Sequence, residues 1–322
     1  MGYHLIDTDP DPGDVRRVTF VPFLPGGTCA AIPDPVRLPS GPVLPGEHYL
    51  LDTSLRIPLQ QAGFRFQRVH PVAADGTHLY VWLDGDRYRG AHPHAAVELV
   101  TGGPARIAAL LADRPDEARA VADAAASFAG QCDESWFADN ARLLEPAYLR
   151  AATPEGGSGF GGTAERWRSR RIGVLSGVTR SGTFLDLGCA NGLLMQSVHA
   201  WAAERGLDLE PYGVDLAPGL VELARRRLPA WADRITVGNA LDLCTDRRFT
   251  YVHLLLDLVP RHRRADLVRH ALTLVEPGGR LLVSHYLHEG STDDPVAAQL
   301  AELGLPVDGV DGQGETAWID AA

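Results

Sequence analysis

Between residues 183 and 286 short apolar runs of strand character alternate with stretches of helical spacing. "TFLDLG", "EPYGVDL", "RITVGNA", "FTYVHLLLDL" and "RLLVSHY" read as strands. "LLMQSVHAWAAERG", "GLVELARRRLPAW" and "RRADLVRHALTLVEPGG" read as helices, and in the first of these Leu194, Val198 and Trp201 share one face. Consecutive strands joined by helices pair in parallel through right-handed crossovers, and such a sheet must be covered on both faces. No other feature narrows the fold as far. It predicts an α/β domain with a Rossmann-like, mostly parallel sheet over 163–322, closed by a last helix and two short strands in "LAELGLPVDGV" and "ETAWIDA".

The 322 residues are too many for one ordinary core and suit two domains. Up to about residue 100 the chain is β-rich, with "VRRVTFVPFL", "TCAAIP", "FRFQRVHPVAA" and "HLYVWLDGD" punctuated by Gly and Pro. Residues 103–129 follow a helical pattern through Ile107, Leu110, Leu111 and Val121, with Pro115 separating two helices. The expected organisation is a smaller β-rich α+β domain over 1–130, a helical and Gly-rich connector over 131–162, and the parallel-sheet domain after it. "ATPEGGSGFGG" at 152–162 holds too much Gly for a regular element. It reads either as a flexible linker or as a loop that folds over a ligand.

The net charge of −11 opposes nucleic acid as the main partner, since such proteins usually present a basic face. The Arg clusters "RWRSRR" (166–171) and "RHRR" (261–264) read as solvated helix faces. Every basic residue is Arg, which removes Lys from any catalytic role; with abundant Ala, Gly and Pro this fits a GC-rich bacterial genome. No run of about 18 apolar residues exists, so no membrane span is expected, and the acidic start lacks the apolar core of a secretory signal. Cys29, Cys132, Cys189 and Cys244 are scattered, so a cytoplasmic protein without disulfides or a thiol metal site is expected.

"FLDLGCANG" (184–192) runs from a strand into a turn built on Gly188 and Gly192, then into a helix whose N-terminus offers free N–H groups. Asp186 stands at the strand's C-terminal end, where open parallel sheets bind ligands. Asp215 ends the next strand, 23 residues beyond Gly192, a separation at which an acid takes both hydroxyls of a ribose. Asn239 ends the third strand, placed to read an adenine edge. The order Asp-x-Gly-x-Ala-x-Gly departs from the dinucleotide fingerprint. It resembles motif I of the class I S-adenosylmethionine-dependent methyltransferases, as do the acid after the second strand, "GNA" after the third and "VEPGGRLLV" before the fifth.

That resemblance implies S-adenosylmethionine as cofactor. Asp186 would hold the methionine amino group, while Gly188, Ala190, Asn191 and Gly192 would line the turn. Asp215, with Leu216 beside it, would grip the ribose, Asn239 and Ala240 would flank adenine, and Trp167 would cover the methionine part. The methyl group is already activated, so alignment matters most and can lower a barrier by about 7–11 kcal/mol; a general base adds about 10²–10⁴ in rate. Candidate bases are His253, Asp257, His285, Tyr286 and His288. "LLDLVP" lacks an Asn-Pro-Pro-Tyr-like tetrapeptide, which favours a small-molecule acceptor, plausible in specialised metabolism, over a nucleobase or Gln amide. A methyltransferase of RNA or a nucleotide, and a non-catalytic S-adenosylmethionine sensor, are the alternatives.

Upstream, "LPSGPVLPGEHYLLDTSLRIPLQQAGF" (38–64) resembles the loop-helix of the Nudix hydrolases. Arg56, Gly63 and Phe64 match that motif, but Ile57, Gln60 and Gln61 stand where its metal-binding Glu residues belong. Neutral amides cannot hold a hard dication, so the resemblance implies a Nudix-like scaffold without hydrolysis, serving substrate binding or a homodimer. Pro58 is expected to kink or break the helix. His92 and His94, near His70 and His78, hint at a metal pair, but no third ligand is fixed, so no metal site is expected.

Overall fold

The structure, a computed structural model, describes residues 2–88, 94, 97–286 and 295–322. Two compact units are present, one running to Leu143 and the other beginning at Leu144.

The first unit is built on β1 (His4–Leu5), β2 (Arg17–Leu24), β3 (Thr28–Ala31), β4 (Ser40–Pro42), helix α1 (Leu51–Ala62), β5 (Phe64–Asp75), β6 (His78–Arg87) and β7 (Val100–Gly102), then α2 (Pro104–Leu110) and α3 (Pro115–Ala129). The strands form one sheet in the order β1-β5-β6-β2-β3-β7, with β4 also paired to β2. Strands β2 and β6 run parallel and the other pairs antiparallel. Val21, Phe23, Tyr80 and Trp82 pack against Ile107 of α2, Leu111 just beyond it, and Val121 and Ala124 of α3. Pro115 opens α3 as its first residue, where a missing N–H costs nothing.

Helix α1 differs from expectation in running unbroken through Pro58. Its last two turns are anchored from outside, which offsets the lost backbone bond. Ile57 is buried, and Arg56 donates to Glu47 at 2.5 and 2.7 Å and to the Pro42 carbonyl at 2.8 Å. The Gln61 amide donates to the Ser40 carbonyl at 2.8 Å and accepts from the Ser40 N–H at 3.1 Å, as a neighbouring strand would. Gly63 then ends the helix in the left-handed region (φ 57°). Gln61→Ala removes both bonds and is expected to lower stability by about 1–2 kcal/mol, read from the urea midpoint.

A buried charge network ties β5 to α4 (Asp133–Arg150). Asp139 accepts from Arg68 Nε at 2.7 Å, pairs with His70 Nδ1 at 2.8 Å and meets Arg142, which also reaches Asp9 at 3.2 Å. Within 131–162, α4 occupies the first part, and the division between the two units falls inside that helix, between Leu143 and Leu144.

The second unit continues with α5 (Ala164–Arg171), β8 (Gly182–Leu187), α6 (Leu193–Ala203), β9 (Leu209–Asp215), α7 (Pro218–Arg227), β10 (Ile235–Val237), β11 (Phe249–Leu255), α8 (Arg264–Thr273), β12 (Val275–Ser284), α9 (Val296–Glu302), β13 (Gly309–Val310) and β14 (Thr316–Asp320). The sheet order is β10-β9-β8-β11-β12-β14-β13. Pairs from β10 to β12 are parallel, whereas β14 is antiparallel to both its neighbours. Leu194, Val198 and Trp201 of α6 pack on Phe184, Tyr251 and Leu282 of the sheet, and Met195 joins Val221, Ala224 and Ile235 in a second cluster. Among the described residues no helix is long and apolar enough to cross a membrane.

Candidate functional site

The parallel strands of the second unit bring their C-terminal ends to one edge, and the connections there carry most of the polar residues singled out in the sequence. The turn after β8 needs unusual backbone at three positions: Gly188 (φ 77°), Ala190 (φ 46°) and Gly192 (φ 76°). A Cβ at Gly188 would lie 2.4 Å from Leu258 Cδ2, so close approach excludes a side chain there. Ala190 holds a conformation that glycine adopts more easily, and its N–H is fixed by donating to Asp215 Oδ2 at 2.8 Å. The other carboxylate oxygen of Asp215 accepts from Ala217 N–H at 2.9 Å. Asp215 therefore joins the turn to the start of α7. Burial raises its pKa above the ordinary carboxylate range, against the two N–H bonds, and the nearby Asp186 and Glu145 add to the rise.

Asp186 is buried, and strand register sets His253 of β11 directly beside it. His253 Nδ1 lies 2.8 Å from Asp186 Oδ1, and its Nε2 lies 3.1 Å from Ser284 Oγ, which in turn contacts Thr316 Oγ1 at 2.9 Å. Both ring nitrogens of this buried candidate base are thus engaged within the sheet. Asn191 is likewise buried and clamps the Gly-rich segment to the turn. Its amide donates to the Pro154 carbonyl at 2.7 Å, and its Oδ1 accepts from Ser158 at 2.6 Å and from Leu193 N–H at 3.1 Å. Of the two readings for 152–162, a free linker does not describe a segment held this way.

The remaining residues are less concentrated. Asn239 closes its own turn by accepting from Leu241 N–H at 3.0 Å; Ala240 is buried and Leu216 exposed. Trp167 lies in the core cluster, its indole N–H donating to Ser197 at 2.9 Å. Asp257 is exposed just past β11, His285 is buried just past β12, and His288 lies outside the described residues. His92 also lies outside them; among the described residues no group of three or more His, Cys, Asp or Glu is arranged to hold a metal.

Residues 184–279 match the family described as "Methyltransferase domain". The match spans less than a third of the chain. No curated protein matches the sequence. Among solved structures, CalS10, an amino pentose methyltransferase from Micromonospora echinaspora with S-adenosylmethionine bound, is 19% identical with a TM-score of 0.33, over 43% of this chain and 57% of that one. The N-methyltransferase NodS from Bradyrhizobium japonicum WM9, in complex with S-adenosyl-L-homocysteine, is 15% identical with a TM-score of 0.42, over 57% of this chain and 99% of that one. A Geobacter sulfurreducens S-adenosylmethionine-dependent methyltransferase with S-adenosyl-L-homocysteine is 18% identical with a TM-score of 0.36, over 52% and 72%.

Three further residues of the second unit escaped the sequence reading. The Arg171 guanidinium lies 3.4 Å from the Tyr286 ring centroid and within 5.2 Å of those of Phe160 and Trp167. It makes no hydrogen bond or ion pair among the described residues, and burial pulls its pKa below the ordinary value. Burial likewise pushes the Tyr286 phenol up to about 12, with Arg171 opposing. Tyr148 is raised by burial and then by Asp257 and Asp215, with Arg171 opposing, so the same carboxylates surround it. Its hydroxyl is 2.2 Å from where a Cβ on Gly159 would stand, so the Gly-rich segment passes directly over it. Glu145 accepts from Gly219 N–H at 2.5 Å, tying the end of α4 to the start of α7. Arg171 was legible only as one member of an Arg cluster, and the other two carried no local signal.

Proposed function

We propose that the chain transfers a methyl group from S-adenosylmethionine to a small molecule. One observation carries this reading: the strained turn after β8 is bonded through Ala190 to Asp215, the carboxylate at the next strand end. The residue set fits the cofactor. Asp215 keeps acceptor capacity on both oxygens for a ribose diol, since each carboxylate oxygen has two lone pairs and only one is taken. Asp186 keeps Oδ2 for a cationic group, while Arg171, unpaired among the described residues and bordered by three aromatic rings, suits a carboxylate. The glycines of the turn pack against Leu258 and Leu228 and hold the left-handed backbone that shapes it.

When bound, S-adenosylmethionine supplies a methyl group on a sulfonium, already activated for in-line attack. The protein then has to align an acceptor and exclude water. His253 acts as a positioning residue, because its ring holds the Asp186 carboxylate from within the sheet. Asp257, exposed past β11, accepts a proton from an amine or hydroxyl acceptor, and Tyr148 stays protonated beside it as a hydrogen-bond donor. The acidic chain opposes a polyanionic substrate. In the first unit we read a Nudix-like scaffold whose metal-binding face is gone: Ile57 is in the core, Gln61 is bonded to Ser40, and Gln60 is exposed.

Calorimetric titration of the full chain with S-adenosylhomocysteine should give a one-to-one isotherm with micromolar affinity. No heat at millimolar ligand would overturn the reading. Formation of S-adenosylhomocysteine from S-adenosylmethionine with an extract of small molecules separates an enzyme from a sensor, which would bind without turnover.

A further inference from the structure

A cavity of about 290 Å³ lies wholly within the first unit, close to the lower size of small-molecule sites. Its walls come from β2, β4, β6, the end of α1 and the start of α3. Part of the lining is internally satisfied. Thr19 Oγ1 bonds Ser40 Oγ at 2.8 Å and His78 Nε2 at 2.8 Å, and Gln61 is engaged with the Ser40 backbone. Glu117 accepts from Leu38 N–H at 2.7 Å and from Arg114 at 3.0 Å. These bonds hold the walls in place and leave those groups little to give a ligand.

Of the lining groups left over, the Arg17 and Arg37 guanidinium groups are donors, while the Asp116 carboxylate is an acceptor on the α3 side of the cavity. The Arg17 guanidinium makes no hydrogen bond or ion pair among the described residues. Among the described residues the Arg37 guanidinium reaches only the Pro35 carbonyl, at 3.5 Å. The 15-residue helix α3 begins at the cavity, its N-cap has no side-chain bond, and the first turn of a helix leaves N–H groups without intrahelical acceptors. Burial, then Arg17, lowers the pKa of His78, with Asp75, Glu117 and Asp116 opposing, so the cavity's positive charge resides on the guanidinium groups and is partly balanced by Asp116 and Glu117. One wall is flat and apolar: the His78 and Tyr80 rings stack at 4.5 Å between centroids, 23° apart.

We propose that this cavity is a binding site for a small organic anion, a phosphate or carboxylate borne on a compact ring, held by Arg17 and Arg37 with the ring against His78 and Tyr80. This assignment is independent of the methyl-transfer reading, since no residue of the second unit contributes to it. The volume exceeds what a bare phosphate would fill, which favours an organic ligand. Guanidinium groups are suited to planar two-point recognition of either anion.

The probes are phenyl phosphate, benzoate and inorganic phosphate, titrated calorimetrically into the full chain. Phenyl phosphate or benzoate should bind saturably, and Arg17→Gln or Arg37→Gln should each weaken that binding by about tenfold or more, with the melting temperature unchanged. Inorganic phosphate should bind more weakly than phenyl phosphate. Three results would overturn the proposal: no heat from either organic probe at millimolar concentration, undiminished affinity in a variant combining Arg17→Gln with Arg37→Gln, or equal affinity for inorganic and phenyl phosphate.

Discussion

Replacing Asp215 with alanine is expected to reduce affinity for S-adenosylmethionine by about a hundredfold or more. Hydrogen bonds to an ionised group contribute about 1.5–3 kcal/mol each, and loss of two to a ribose diol exceeds the roughly 2.7 kcal/mol that corresponds to two decades. The substitution also frees the Ala190 and Ala217 N–H groups that Asp215 fixes, and Ala190 then holds its positive φ without its anchor. Calorimetry with S-adenosylhomocysteine measures the affinity, and thermal melting of the same variant measures the structural part. Unchanged affinity in a folded variant would sink the role given to Asp215.

The same carboxylate sets a pH dependence whose sign differs between stability and binding. Burial raises its folded-state pKa above the unfolded value. Its contribution to stability is therefore fully present below the unfolded pKa and is lost as pH rises through the folded one. Ribose hydroxyls need the ionised form as acceptor, so cofactor affinity should fall as pH is lowered through that raised value. Acidification thus weakens binding while Asp215 itself favours the fold, and the two trends separate in titrations run alongside melting curves.

Asp139→Ala is expected to cost the first unit about 3–5 kcal/mol. Arg68 and Asp139 are both buried, and removing one partner leaves an uncompensated charge in a low-dielectric setting. His70 and Arg142 lose the same acceptor. A loss of that size lowers a melting temperature by about 10 °C in a unit of this length. The double substitution Arg68→Met with Asp139→Leu should recover much of the loss, because an apolar pair of similar volume needs no desolvation of charge. A melting curve for Asp139→Ala indistinguishable from that of the parent chain would refute the argument.

The sequence by itself determined the elements whose evidence is local. Periodicity marked the strands and helices from 183 to 286, and with them the parallel sheet with its two closing strands. The turn of 188–192 and Asp215 were legible because a tight strand-to-helix turn demands glycine at fixed spacing and the acid stands at the next strand end. Spacing along one strand or turn is a property of neighbouring residues, and sequence order preserves it.

Only the tertiary structure decided which distant side chains share a site. Asp186 and His253 are 67 positions apart and meet because β8 and β11 are adjacent in register, which turned a candidate base into a group held between Asp186 and Ser284. Asn191 reaches 37 residues back to Pro154, and Tyr148, Arg171 and Asp257 gather around one edge of the sheet. Pro58 stays inside a helix because Arg56, Ile57 and Gln61 are anchored to residues outside that helix. Strand order and long-range packing govern these outcomes, and they depend on the free energy of the whole assembled unit, which no local pattern encodes.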